Sequence, residues 1–568
     1  MTRVFPPLTL AVFLVPVLAG LAGTLLPAFG VLPGVGGTPS LEPWRDLGAA
    51  AGLGRSVALS LGIGVGAAVL SLALALGIAA GAQGTRVMTA CRRALAPLLA
   101  VPHVAVALGL AFLLAPSGWL ARLASPWATG WTLPPDLPTV PDPFGLAAVL
   151  ALTLKETPYL LLMLLAALGA VQADRSVAVA RALGYGPVAA WVRVVLPRVY
   201  PLIRLPVYAV LAYSLSVVDV ALVLAPGTPG PLAVEVVRWL GDPDPALRMQ
   251  GAAGAVLQTG LVAGVLLVWR LGEAGVARLS RSWVTAGPPT PTATPTLGRR
   301  AGPGMVLAVA GPLVALVALA LVGMALWSVA TAWFWPAPWP AGLTLDTWRR
   351  HLAASPGPLW TTVTVGVAAT GLAVALALGS LEHEPARGRP SGRGSLWLLY
   401  TPLLLPQVGF LFGVQILAVF AGLDGTWGAV VWAHLLFVLP YVFLALADPH
   451  RRLDPRWRRT ARSLGAGPGR TFVRVVVPLL LRPILFAAAI GFAVSVAQYL
   501  PTLFLGAGRH PTLTTEAVAL AAGGDRRLIG VRVFLQAALP LLVFGLALAL
   551  PRVLFRSRSA MAAGEGTV

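Results

Sequence analysis

Asp454-Pro-Arg-Trp-Arg-Arg-Thr-Ala-Arg-Ser-Leu-Gly-Ala-Gly-Pro468 is followed by Arg474-Val-Val-Val-Pro478 and by Arg482-Pro483. An earlier stretch, Ala180-Arg-Ala-Leu-Gly-Tyr-Gly-Pro187, repeats its centre and is followed by Arg193 and Pro197 at the same spacings. Each copy reads as helix, break, helix. Asp454 suits an N-cap and Pro455 the first helical position; Gly465 to Gly467 supply a left-handed turn, and Pro468 opens the next helix. Asp174, Gly184, Gly186 and Pro187 are expected to play the same parts in the first copy. A compact, basic helical hairpin of this kind is a docking element by shape, rigid and protruding.

The duplication extends outward from the hairpins. Ser40-Leu-Glu-Pro-Trp-Arg45 answers Thr344-Leu-Asp-Thr-Trp-Arg349, and Pro102-His103 with Gly109 answers Pro406-Gln407 with Gly413. Glu235 and Glu516 keep the spacing of the hairpins. A repeat of this length implies two copies of one structural unit. The expected division is residues 1–285 for the first half, with its hairpin loop at 173–201, and 301–568 for the second, with its loop at 453–483. Between them, 286–300 is a Pro/Thr-rich linker (Ala286-Gly-Pro-Pro-Thr-Pro-Thr-Ala-Thr-Pro-Thr296) with no means of packing a core.

Composition says what surrounds these units. The chain has 568 residues, 57% hydrophobic and only 11% charged, against about 25% charged in soluble domains. Apolar stretches repeatedly reach the ~20 residues that cross a ~30 Å hydrocarbon layer, at 5–26, 57–80, 95–114, 146–171, 202–224 and 252–269, then 305–330, 360–378, 396–420, 429–447, 484–505 and 533–550. The fold class is therefore an all-α integral membrane protein of about twelve transmembrane helices in two homologous six-helix bundles. The stretch at the N-terminus is read as the first spanning helix, because it is long and lacks a small-residue cleavage site.

The net charge of +21 follows from topology. Alternate loops hold most of the arginines, including both hairpins, while the opposite loops mix signs. By the positive-inside rule the arginine-rich set faces the cytoplasm, with the N-terminus, and the basic balance calls for no nucleic-acid partner. Both hairpins share that side, so the repeat is parallel. Cys91 is the single cysteine, so no intramolecular disulfide forms. No His/Asp/Glu cluster has metal-ligand spacing, and no catalytic constellation is found.

The hairpins resemble the cytoplasmic EAA loop of type-I, MetI-like permeases of binding-protein-dependent ABC importers: Glu-Ala-Ala, three residues, Gly, then a hydrophobic-Leu-Pro about a dozen positions on. Both copies fit from the second alanine onward; the glutamate is Ala178 in the first and Arg459 in the second. The resemblance implies ATPase-coupling loops built from Ala180, Arg181, Gly184, Gly186, Pro187 and Pro197, and from Ala461, Arg462, Gly465, Gly467, Pro468 and Pro478. It implies as partners two copies of an ABC ATPase subunit, which binds the ATP, together with a periplasmic or extracellular substrate-binding protein and membrane lipid. The setting it implies is a bacterial inner membrane. No cofactor is expected on this chain. A phosphate-binding loop needs Gly-x-x-x-x-Gly-Lys-Ser/Thr, and the only lysine, Lys155, precedes Glu156 within a span. Fused permeases of this kind are similar to those for thiamine and ferric iron, and Ala497-Gln-Tyr-Leu-Pro-Thr-Leu-Phe-Leu-Gly-Ala-Gly508 resembles the YnjC-like branch. The rival readings are an ion-coupled secondary transporter of six plus six helices, which gives no reason for two Gly-Pro hairpins, and a membrane enzyme.

Polar residues inside the spans are expensive. Lys155 and Glu156 are neighbours in sequence and must point to different partners; interhelical pairing and lining of a translocation pathway both stand. Asp219, Gln498 and Tyr499 in the fifth spans have the same two readings. His103 and Gln407, each after a proline, share that ambiguity, with packing or kink stabilisation the favoured reading. Trp44, Trp119, Trp127, Trp131 and Trp348 are expected to anchor the chain at the membrane interface.

Overall fold

The computed structural model describes residues 4–285, 295–354, 356–387, 401–523 and 525–554. Its regular structure is helical, with two isolated bridges, Leu32 to Gly36 and Ala330 to Leu343. Among the described residues ten helices are long and apolar enough to cross a membrane, or eleven if the pair Pro468–Leu479 and Leu481–Val496, bent by 76°, forms one span. Gln407–Phe420 is a shorter apolar helix, and the start of the span expected at 396–420 lies outside the described residues. So does most of the expected linker; residues 295–300 instead form the first turns of a helix.

In chain order the first half has α1 (Phe5–Ala28), α2 (Leu53–Ala82), α3 (Arg86–Ala100), α4 (His103–Leu114), α5 (Leu146–Ala170), α6 (Ala173–Ala182), α7 (Leu196–Ser216), α8 (Asp219–Leu224), α9 (Leu232–Leu240) and α10 (Pro245–Thr285). The second has α11 (Pro295–Val329), α12 (Gly357–Arg387), α13 (Gln407–Phe420), α14 (Trp427–Arg451), α15 (Pro455–Ser463), α16 (Leu481–Val496), α17 (Leu500–Gly506), α18 (Leu513–Ala521) and α19 (Arg526–Leu554). Three expected spans are interrupted. The stretch 95–114 breaks between α3 and α4 at Pro102, whose ring cannot donate to the helix; 202–224 breaks between α7 and α8, and 484–505 between α16 and α17. The sixth span continues far beyond 252–269, since α10 has 41 residues, about 60 Å of helix.

The two halves pack alike and exchange their first helices. Within each half the second span packs on the fourth and fifth, α2 on α5 and α7, and α12 on α14 and α16. The first spans cross over: α1 lies along α13 of the second half, and α11 lies along α4 of the first. Without a hydrophobic force between helices in lipid, such packing relies on small residues and close backbones. A Cβ on Gly23 would stand 2.9 Å from Gly413 Cα, and one on Gly109 3.0 Å from Ala320 Cβ. Polar contacts seal the first crossover: Gly413 N donates to Thr24 Oγ1 at 3.1 Å, Trp432 Nε1 to the Val12 carbonyl at 3.2 Å, and Thr9 Oγ1 lies 2.9 Å from Ser380 Oγ.

At the end opposite the hairpins, a short helix, Trp119–Ala124, packs into the loop after α11. Arg122 is buried there, its guanidinium 5.5–5.7 Å from the rings of Trp327, Trp333 and Trp335, and it donates to the Phe334 carbonyl at 2.8 Å. Trp119 is not an interface anchor as expected. It is 5% exposed, stacked edge-on against Trp333 and Trp339, with its indole N–H on the Pro338 carbonyl. Trp127 remains 80% exposed, whereas Trp348 donates to Ser328 Oγ and meets Phe534 edge-on.

Candidate functional site

The two hairpins are built alike. α6 ends at Gly184, φ +90°, and α15 at Gly465, φ +81°, so each chain reversal uses the left-handed conformation open to glycine. The next residue closes the turn: Tyr185 N donates to the Ala180 carbonyl at 3.1 Å, and Ala466 N to the Ala461 carbonyl at 3.0 Å. After Gly186 and Gly467 come the short helices Pro187–Ala190 and Pro468–Thr471. Both then pass through one π-helical turn, Trp191–Val195 and Phe472–Val476, which redirects the chain into α7, opening with Pro197, or into the Val477–Leu479 turn that holds Pro478. Ala180 and Ala461 are buried against the protein. Arg181 and Arg462 are exposed, and each reversal presents a leucine outward, Leu183 at 65% and Leu464 at 82%.

The entries differ. Asp454 caps α15 as expected, accepting from Arg456 N at 2.8 Å, with Pro455 at the first helical position. Asp174 is not the cap of α6. That position belongs to Gln172, φ +48°, and Asp174, inside the first turn, accepts from Gln83 Nε2 at 2.6 Å, which ties the hairpin to the end of α2. The second hairpin is tied to the end of α12 by charge, Glu382 accepting from Arg458 at 2.6 Å, while the end of α14 joins the same place: His450 Nε2 lies 3.1 Å from Glu382, and Glu384 takes Arg451 through two bonds of 2.8 and 2.9 Å. Glu382 and Glu384 had no motif to mark them in the sequence.

Within the spans, polar side chains gather at the helix breaks, where backbone groups lose their intrahelical partners. Lys155 Nζ donates to the Leu98 and Val101 carbonyls, at 2.7 and 2.6 Å, beside the α3–α4 break. Gln258 Nε2 donates to the Leu215 carbonyl at 2.9 Å beside the α7–α8 break. In the second half, Thr514 Oγ1 donates to the Val496 carbonyl and itself accepts from Gln536 Nε2 at 2.6 Å. His434 bridges the α16–α17 break, 2.7 Å from Ser495 Oγ and 2.8 Å from Thr502 Oγ1. Gln258, Gln536 and His434 were visible as lone polar residues in apolar runs, but a run does not show which break it faces.

Of the polar residues singled out in the sequence, Glu156 pairs with His103, Asp219 lies in electrostatic reach of the same histidine, and Lys155 donates to its two carbonyls. Glu156 Oε1 lies 3.0 Å from His103 Nε2, and the His103 ring is 5.0 Å from that of Tyr213. Asp219 heads α8 in electrostatic reach of His103, Tyr213 and Tyr499, and Tyr213 also feels Glu156 and Tyr441. His103 therefore pairs with a carboxylate, beyond the kink-stabilising part expected of it. Tyr499 and Tyr441 come from the second half, so the group straddles the boundary between halves. Gln498 is buried in the α16–α17 break itself; Gln407 opens α13 after Pro406, as His103 opens α4 after Pro102. Glu235 closes its own loop, accepting from Gly230 N at 2.6 Å and Arg238 at 2.9 Å.

A family model for binding-protein-dependent transport system inner membrane components matches residues 369–559. The chain is 37% identical over 453 residues to the inner membrane ABC transporter permease protein YnjC of Escherichia coli, covering 79% of this chain and 78% of that one. It is 29% identical over 216 residues to the molybdenum transport system permease protein ModB of Mycobacterium tuberculosis, 35% of this chain and 78% of the relative. The trehalose transport system permease protein SugB, also from Mycobacterium tuberculosis, is 24% identical over 193 residues, 33% and 69% of the two chains.

Proposed function

The chain belongs to the family of inner membrane permeases of binding-protein-dependent ABC importers, and from that membership we propose that it is a fused permease: both halves of the pore in one polypeptide, with a docking hairpin in each. The observation that carries this reading is the pair of hairpins. Two segments far apart in sequence adopt the same left-handed glycine turn, the same π-helical turn and the same outward leucine, as one docking surface presented twice requires. ModB, whose matched stretch is 78% of its own length but 35% of this chain, supports a chain with room for more than one such unit.

In this reading the hairpins face the cytoplasm, as the N-terminus does, and each sits on one of two ATPase subunits that bind ATP. The ties from Gln83 to Asp174 and from Glu382 to Arg458 pass a displacement of the hairpin to the second span of the same half. That span packs on the fourth and on the fifth, and the fifth is broken within the membrane, so hairpin motion reaches the polar groups at that break through helices in direct contact. The glutamate absent from both motifs, Ala178 and Arg459 here, is offset in the second half by Glu382, which holds the hairpin from the other side. A binding protein delivers a small solute to the opposite face, and ligand and nucleotide act through their different affinities for the two states of the bundles.

Native purification of the chain in mild detergent tests this. An ATPase subunit is expected at two copies per chain, and is expected to be lost when Gly184 and Gly465 are both replaced by valine. Open space surrounds the position of an added Cβ at both glycines, so the effect comes from the turn, at about 1–2 kcal/mol per left-handed residue. A chain that purifies alone and moves solute on an ion gradient overturns the proposal.

A further inference from the structure

We propose that the cleft between α2, α3, α5 and α11 holds an acyl chain of an anionic phospholipid from the leaflet on the hairpin side, with the headgroup at the exposed arginines of α3. The inference goes beyond the permease reading and stands without it. The cleft has about 500 Å³ of space, its open mouth included. α3 turns the stripe Cys91, Ala94, Leu95 and Leu98 to it, residues that share one face at helical spacing, and Ile78, Leu161 and Leu313 stand in the walls given by the other three helices. It lies on the seam between the halves, because α11 is the exchanged helix of the second half. Val314, at its rim, is 42% exposed on a helix long and apolar enough to cross the membrane, so the cleft opens to hydrocarbon.

The lining chooses the occupant. A site for a polar solute needs a few placed polar groups, and a trapped water needs two to four polar partners. Among the lining residues only Cys91 and Thr157 carry a side-chain heteroatom, and the Thr157 hydroxyl is spent on the Thr153 carbonyl at 2.7 Å. An apolar chain forfeits no hydrogen bond there. Charge supplies the headgroup preference. Arg86, Arg92 and Arg93 are all exposed on α3, with Arg92 directly after Cys91 and a helix-surface neighbour of Leu95. Nearby Gln83, which donates to Asp174, places the start of α3 at the hairpin end. Arginine stems lie along apolar surface while their heads reach the interface, and basic groups beside a pocket between spans take anionic headgroups.

The test uses the full chain in phosphatidylcholine nanodiscs doped with a photoactivatable lipid that carries a diazirine on its acyl chain, as phosphatidylglycerol or as phosphatidylcholine. Peptide mass spectrometry locates the cross-links, with Leu542 and Leu546 of α19, each 59% exposed, as the internal reference. Cross-links within 91–98 and 310–317 are expected to be severalfold stronger with the phosphatidylglycerol probe, while α19 labels equally with both. Ala94→Trp, which fills the cleft, is expected to remove them while α19 still labels. Arg92→Glu with Arg93→Glu, at exposed positions, is expected to level the two probes. In the unaltered chain, alkylation of Cys91 by N-ethylmaleimide is expected to slow severalfold when phosphatidylglycerol replaces phosphatidylcholine throughout, which reads occupancy without any substitution. Equal labelling of the cleft by both probes, no labelling there while α19 reacts, a preference that survives the charge reversals, or a Cys91 rate indifferent to the lipid would each overturn the proposal.

Discussion

Lys155 is the residue whose role the tertiary contacts change most. A lone lysine beside a glutamate in a span invites an ion-pair reading, yet its ammonium holds two carbonyls freed by Pro102. Each buried acceptor left without a donor costs about 1–3 kcal/mol. Lys155→Met is therefore expected to lower the thermal stability of the purified chain sharply, while Lys155→Arg, which keeps donors, recovers part of it. At the start of α19, hydrogen bonds from the Arg527 side chain hold the Asp525 carboxyl below the usual carboxylate range, and Arg527 also donates to the Thr331 carbonyl at 2.7 Å. A carboxyl whose folded value is depressed adds stability above its unfolded pKa and loses it as pH falls through the folded value. The stability difference between the parent and Asp525→Asn is expected to be full at neutral pH and to vanish on acidification, in thermal melts across that range. Glycine 184, glycine 465 and the Asp454 cap were legible from residue type alone, because a left-handed turn and an N-cap are local. The Gln172 cap was not, because glutamine carries no such signal.

At the scale of elements, broken helices and crossed helices have one physical origin. Lipid provides no hydrogen-bond partner, so each break must bring its own, as Lys155, Gln258, Thr514 and His434 do. Lipid also provides no hydrophobic force between helices, so contact depends on small residues. The α1–α13 crossover is the tightest case, with Gly20 and Gly23 against Phe410 and Gly413. Gly23→Leu is expected to force the two backbones apart and to convert the chain into a protease-sensitive, aggregating form, measured by limited proteolysis and size-exclusion chromatography. Gly77→Leu, in α2 where nothing approaches the position, is expected to leave both unchanged. The twelve apolar runs could be read directly, since hydrophobic length is a property of sequence. The break at 217–218 could not, since no proline marks it, whereas Pro501 in the first turn of α17 is a local sign of the break at 497–499.

For the whole molecule, exchange of the first helices means that neither half is complete alone. Expressed separately, residues 301–568 are expected to lack the partner of α13 and to be degraded or aggregated, whereas coexpression of 1–285 with 301–568 is expected to restore a complex that co-purifies through a tag on either piece. Co-purification by the two pieces, and instability of each alone, are the measurements. Recovery of a stable, monodisperse second half by itself would contradict the exchange. The sequence by itself determined the all-helical membrane class, the repeated hairpin motif and the turn chemistry of the hairpins. These follow from composition, periodicity and single-residue conformational preference, all of which act over short distances along the chain. Only the tertiary structure decided that α1 and α11 lie against the opposite halves, that Lys155 donates to the Leu98 and Val101 carbonyls, that Trp119 is buried around Arg122, and that Glu156 pairs with His103. Each of these depends on which helix faces which across the bilayer. Apolar runs of similar length and composition offer many pairings of nearly equal hydrophobicity, and only close backbone packing and the answering of broken hydrogen bonds choose among them.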